Sequence, residues 1–91
     1  MMKNKQYVNG QKTYEQVGDQ LTYFFKDGRV KAEGVSIKDV MQGEWKFYRE
    51  SGQLWQVGNF KDNKKHGKWI RYDKLGNLEY EETFENGKLK K

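Results

Sequence analysis

The residues able to do chemistry in this chain are few and far apart. Its one histidine, His66, sits in the tetrapeptide Lys64-Lys65-His66-Gly67, its serines are Ser36 and Ser51, and it has no cysteine. A nucleophile needs an adjacent base, and a protein metal site needs several donors gathered together. Neither can be assembled from this inventory. Ser51 suits a turn, His66 suits a linker, no metal or cofactor is implied, and the chain is read as not an enzyme. The acidic run Glu79, Glu81, Glu82 and Glu85 alternates as a solvated strand face does, with Arg71 as its expected salt-bridge partner. The glycines lack the strand, loop and helix context of a phosphate cradle, so turn formation explains them.

Binding chemistry is better represented. Lys61, Lys64, Lys65, Lys68 and Arg71 cluster around His66, with Trp69 and Tyr72 beside them. Lysines interleaved with aromatics can neutralise phosphates and stack bases. The plainer reading is a lysine-rich exposed turn that protects a sheet edge from aggregation. The net charge of +5 and pI near 9.4 permit polyanionic partners such as nucleic acid or lipid headgroups, yet a charge of this size also serves solubility alone.

The elements that must position these residues are set by a repeat. Three stretches superimpose with a 24-residue shift, which aligns Gly28, Gly52 and Gly76. Leu21, Trp45 and Trp69 share a column, as do Phe24, Tyr48 and Tyr72, and Val30, Leu54 and Leu78. Gly34 and Gly58 share another, and Phe60 and Phe84 a third, where the first copy has Ser36. Such a period marks units too small to bury a core alone, so each must lean on the next. Apolar residues make up 34% of the 91 residues and the mean hydropathy is −1.21, which rules out a large globular core. Aromatics at 15% and the absence of proline argue against disorder. No apolar run approaches a membrane span and no apolar stretch follows the charged N-terminus, so a cytoplasmic protein is expected.

Each unit reads as a β-hairpin around its glycine. A three-residue loop ending in a left-handed glycine sets Tyr48 against Leu54, Phe24 against Val30 and Tyr72 against Leu78. Continued without interruption, that register also sets Phe47 against Trp55, Trp45 against Val57 and Arg71 against Glu79. Trp45 and Tyr48 are three apart, so either both sheet faces carry aromatics or a second bulge intervenes. Between hairpins, Lys61-Asp62-Asn63-Lys64 and Glu85-Asn86-Gly87-Lys88 are turns, which favour sequential antiparallel pairing. The expected fold is therefore all-β, an antiparallel meander of stacked hairpins in a single domain. Residues 1–18 form a partial N-terminal unit, 19–42, 43–66 and 67–88 are the three repeats, and 89–91 are a fraying tail. Ile37 is expected to take the place that Ser36 leaves in its column.

The units Gly43-Glu44-Trp45-Lys46-Phe47-Tyr48 and Gly67-Lys68-Trp69-Ile70-Arg71-Tyr72, with the linker Phe84-Glu85-Asn86-Gly87-Lys88, resemble the MORN-repeat variant of many bacterial proteins. Leu21 and Asp19 replace tryptophan and glycine in the first copy, and Asp39 and Asn63 stand where the linker glycine is common. The resemblance implies a single-layer sheet and a role in binding or scaffolding. Some bacterial members are antitoxins of the YwqK type, which implies a toxin as protein partner. More distant members imply dimerisation, hence a homo-oligomer, or contact with phospholipid headgroups.

A single-layer sheet has two faces and nothing evident to cover them, so some aromatics must stay exposed, and exposed aromatics mark protein interfaces. The leading expectation is a non-enzymatic protein-interaction module, antitoxin-like, that uses Trp45, Phe47, Trp55 and Trp69 on one sheet face. The alternative is an anion-binding module for lipid headgroups or nucleic acid, centred on Lys64 and Lys65 in the linker 61–71. Trp55 leads the first set because its column holds Lys31 and Glu79, and a position charged in two copies points toward solvent.

Overall fold

A computed structural model describes residues 6–90. Among them nine strands form one antiparallel sheet: β1 (Tyr14–Val17), β2 (Gln20–Phe24), β3 (Val30–Ile37), β4 (Val40–Tyr48), β5 (Leu54–Lys61), β6 (Lys64–Lys65), β7 (Gly67–Tyr72), β8 (Leu78–Glu85) and β9 (Lys88–Lys90). Neighbours in sequence are neighbours in space, and β6 and β7 both pair with β5, parted only at His66. The molecule measures 43 × 34 × 18 Å, and the short dimension is that of one twisted layer with its side chains. Among the described residues no helix is long and apolar enough to cross a membrane.

Two turn chemistries alternate along the chain and account for the meander. Within each hairpin the loop has three residues. Gly28, Gly52 and Gly76 have φ of 91°, 94° and 86°, and their amides donate to the carbonyls of Phe25, Arg49 and Asp73. Only glycine takes that conformation without strain. After each of the three repeats the loop has two residues, both with positive φ: Lys38 and Asp39, Asp62 and Asn63, Asn86 and Gly87. Two such residues make the type I′ turn whose twist matches that of the strands. The Asn63 amide and its side-chain oxygen also bond the backbone of Met41, which ties one turn to the preceding strand.

The cross-strand register holds next to each turn and then shifts. Tyr48 faces Leu54, Phe24 faces Val30 and Tyr72 faces Leu78, as the repeat columns require. One residue further on, every hairpin has a bulge on its returning strand. Phe47 consequently faces Gln56 rather than Trp55, Trp45 faces Gly58 rather than Val57, and Arg71 faces Tyr80 rather than Glu79. The extra, unpaired residue is Lys31, Trp55 or Glu79, one per copy. A bulge residue is released from the ladder, which is why that column accepts such different side chains.

The bulge brings the glycine column under the tryptophan column. Leu21, Gly34, Trp45 and Gly58 are paired in succession across β2 to β5, the Trp69 ring lies against Gly58, and Trp69 pairs with Glu82, so the six form one row on one face of the sheet. Each indole leans back over the glycine of the preceding copy. A Cβ on Gly34 would lie 2.4 Å from the ring of Trp45, and one on Gly58 would lie 2.1 Å from that of Trp69. The indole N–H groups then donate to the carbonyls of Val35 and Asn59, each at 2.9 Å, so both buried donors are satisfied. The core is small: Leu21, Ala32 and Trp45, with Tyr14, Tyr23, Met41, Phe47 and Phe60 packed around them.

Two smaller expectations are corrected. Ser36 is itself buried and its amide donates to the carbonyl of Asp19, while Ile37 remains exposed, so Ile37 does not take over the phenylalanine column. Leu89 and Lys90 pair with Phe84 and Thr83 in β9, so the tail is held at those two residues. Lys91 lies outside the described residues, as do residues 1–5 of the N-terminal unit. Within that unit Gly10 closes a further three-residue turn, and the Tyr7 hydroxyl donates to the carbonyl of Phe24 at 2.7 Å.

Candidate interaction surface

Aromatic rings run in a band across one face of the sheet. Tyr23 lies 6.2 Å from Trp45, Trp45 lies 6.3 Å from Phe47, and Phe47 stacks on Trp69 at 5.9 Å. Phe60 wedges edge-on between the two indoles, at 6.2 Å from Trp45 and 5.1 Å from Trp69, and Phe84 extends the band at 6.4 Å from Trp69. This geometry follows from the register, because residues two apart on a strand share a face and paired residues lie side by side.

The band is not equally accessible along its length. Trp45 is 0% exposed and Trp69 4%, so these two candidate binding residues are packing residues that shape the face from beneath. Phe47 and Trp55 are half-buried and reach the surface. They border an open groove of about 430 Å³ with Tyr23, Ala32, Met41 and Lys31, and its walls are almost wholly apolar. Burial, and then the nearby charges of Asp39 and Tyr14, raises the pKa of the Tyr23 phenol at one side of the groove.

Cations crowd the end of the groove where Trp55 stands. The guanidinium of Arg71 lies 5.2 Å from the Trp55 ring centroid and that of Arg49 lies 5.8 Å from it. Arg71 occupies the column of Tyr23 and Phe47, and Arg49 flanks the turn that Trp55 follows. In the sequence Arg71 belongs to the basic cluster around His66 and is set against Glu79, while Arg49 belongs to no candidate site. The available signal was a cation interrupting an aromatic column, but it points to Trp55 only once the bulge has turned that ring toward the same face.

The lysine-rich segment is divided between the two faces. Lys65 lays its ammonium over the rings of Trp69, at 4.6 Å, and Phe84, at 4.8 Å. Lys68 forms an ion pair with Glu81 at 3.2 Å, and Lys61 and Lys64 are exposed opposite each other across the β5–β6 turn. The His66 ring accepts a long hydrogen bond of 3.4 Å from the amide of Asn86, beside the last turn. Of the two lysines singled out by sequence, Lys64 is free to meet an anion and Lys65 is engaged with the core rings.

At the groove's edge, the Tyr48 hydroxyl donates to Oε2 of Glu33. Burial first, then this hydrogen bond and the Glu33 charge, push the phenol pKa from 10.0 up to about 12. A folded-state value above the unfolded one means that the neutral phenol stabilises the fold in full below the unfolded pKa, and that this contribution fades as pH rises toward the folded pKa. Tyr48→Phe should therefore lose less stability than wild type on going from about pH 9 to about pH 11. Urea-unfolding midpoints at the two pH values read this directly, and a larger loss in the variant would count against the contact.

Comparison with known proteins agrees with the repeat seen in the fold. The family model described as MORN repeat variant matches residues 41–62 and 65–86, the second and third hairpins with their linkers. No curated protein and no solved structure matches the chain. MORN repeats are in general modules for interaction with proteins or membranes. With two matched repeats in register and the same hairpin geometry in a third, this chain belongs to the MORN-repeat variant family.

Proposed function

We propose that this chain is a non-enzymatic, cytoplasmic module that binds a protein partner through the aromatic face around Trp55. The observation that carries this reading is the apolar groove beside Trp55 and Phe47, on a sheet over which no second layer lies among the described residues. Core packing within the described residues accounts for Trp45 and Trp69 but leaves the groove open. An accessible aromatic at the edge of an apolar groove, with two arginines against its ring, has the composition of an interface hot spot. A toxin as the partner, and hence an antitoxin-like role, is the finer form of this reading, and it is supported by the family resemblance alone.

Binding to polyanions through Lys64 and Lys65 is the weaker reading, because Lys65 is held on two rings and Lys68 is paired with Glu81. Parallel captures separate the two, with wild type, Trp55→Ser and the Lys64→Ala/Lys65→Ala pair as baits and the retained proteins identified by mass spectrometry. Trp55→Ser is expected to stay folded, at a cost of about 1–2 kcal/mol from lost burial and cation–π contact. It should lose the partner that both other baits retain. A partner held equally by Trp55→Ser but released by the lysine variant and by moderate salt would refute the aromatic-face reading.

A further inference from the structure

The rim of the groove narrows the chemistry of the partner, an inference that rests on the reading above. Two guanidinium groups converge on the single ring of Trp55. Neutral groups orient them: Arg71 Nε donates to Gln56 Oε1 at 3.2 Å and packs over the Tyr80 ring at 4.8 Å, and Arg49 Nη2 donates to the Tyr72 carbonyl at 3.1 Å. None of these contacts neutralises the charge. Among the described residues the ion pairs are Lys12 with Glu15, Arg29 with Asp27 and Lys68 with Glu81, and none includes Arg49 or Arg71. Arg49 Nε is buried and has no hydrogen-bond partner among the described residues. Lys31 lines the same groove and occupies the bulge position one copy earlier. Stacking uses the flat face of a guanidinium and leaves its N–H edge available to a carboxylate.

We infer that Arg49, Trp55 and Arg71 form a subsite for an acidic side chain of the partner, and that the adjoining groove takes a neighbouring apolar side chain. The occupant is an extended segment of another protein in which acidic and apolar residues alternate. Charge complementarity supplies the first half of this assignment: uncompensated like charges held to one ring raise a positive potential that an acidic group relieves. The groove supplies the second half, since an almost wholly apolar wall matches a hydrocarbon side chain rather than a sugar or a phosphate. A nucleic-acid strand would instead need cations spaced along a track, and here they gather at Trp55 and Lys31.

The test is a titration of the isotopically labelled protein, following the indole N–H signal of Trp55, with two capped pentapeptides and with phosphatidylglycerol vesicles. One peptide alternates glutamate with leucine and phenylalanine, and the other carries glutamine in place of glutamate. The glutamate peptide should shift the Trp55 signal, with the glutamine peptide about tenfold weaker. Arg71→Gln should weaken the glutamate peptide about fivefold and leave the glutamine peptide unchanged. Arg49→Gln serves in the same way, so a variant that fails to fold leaves the other to decide. Equal affinity for the two peptides would overturn the acidic subsite while leaving the aromatic-face reading in place. If neither peptide moves Trp55, the subsite is likewise overturned, and the capture by wild type against Trp55→Ser decides the broader reading separately. A Trp55 shift with vesicles and with neither peptide would overturn both.

Discussion

Replacing Gly58 with alanine should destabilise the protein by about 3 kcal/mol or more, a large effect for one methyl group. Inside a strand the same change ordinarily helps by about 0.5–1 kcal/mol, because glycine is the costlier residue to order. Here the sign reverses, since the new Cβ would stand 2.1 Å from the ring of Trp69, which is itself buried on all sides. Glu82 provides an internal control. It occupies the column of Gly34 and Gly58 in the last copy, and no indole of a following repeat lies over it among the described residues. Glu82→Ala should therefore change stability by less than about 0.5 kcal/mol. Chemical denaturation of both variants measures the contrast, and similar costs at the two positions would show that the indole does not set the requirement for glycine.

Trp45→Ala should have the largest effect, a loss of about 3–5 kcal/mol. A domain of this length has only about 5–14 kcal/mol in total, so the variant should lie at the edge of folding. Its indole is wholly buried, touches Tyr23, Phe47 and Phe60, and donates its N–H to the Val35 carbonyl. Removing it leaves a cavity in the small core and takes away the hydrogen bond to a part-buried carbonyl. Trp55→Ser should cost less than half as much, and thermal melts of the two variants side by side show the difference. Equal losses would mean that Trp55 belongs to the core and could not be offered to a partner.

The sequence made the hairpins, their glycine turns and their order legible because each depends on local chemistry. A positive φ at Gly52 is decided by four residues, and a type I′ turn at Asp62-Asn63 by two. The register beyond the turn was not legible. A second bulge was one of two readings of the Trp45–Tyr48 spacing, but neither its position nor its extra residue was fixed by that spacing, and one residue of slip exchanges every cross-strand neighbour. The glycine column at Gly34 and Gly58 was visible as a repeat, but its purpose as a seat for the next indole appears only when the strands are paired. Trp55 itself could be singled out because Lys31 and Glu79 share its column, which marks a position freed from the core. Trp45 and Trp69 stood behind Trp55 among the interface candidates, and each indole is buried because it lies over a glycine of the neighbouring strand. The contacts of Arg49 and Arg71 with Trp55 were not legible, because cation–π contacts across a bulge depend on side-chain direction, which spacing does not encode.

The most direct test of the aromatic-face function uses the three indole N–H resonances, one from each tryptophan. The labelled protein is titrated with the partner that the wild-type bait retains. On binding, the Trp55 resonance should shift or broaden strongly, the Trp45 and Trp69 resonances should stay close to their free positions, and the backbone amides of Lys64 and Lys65 should not move. An unmoved Trp55 together with shifted amides at Lys64 and Lys65 would contradict the aromatic-face function and assign binding to the lysine-rich turn.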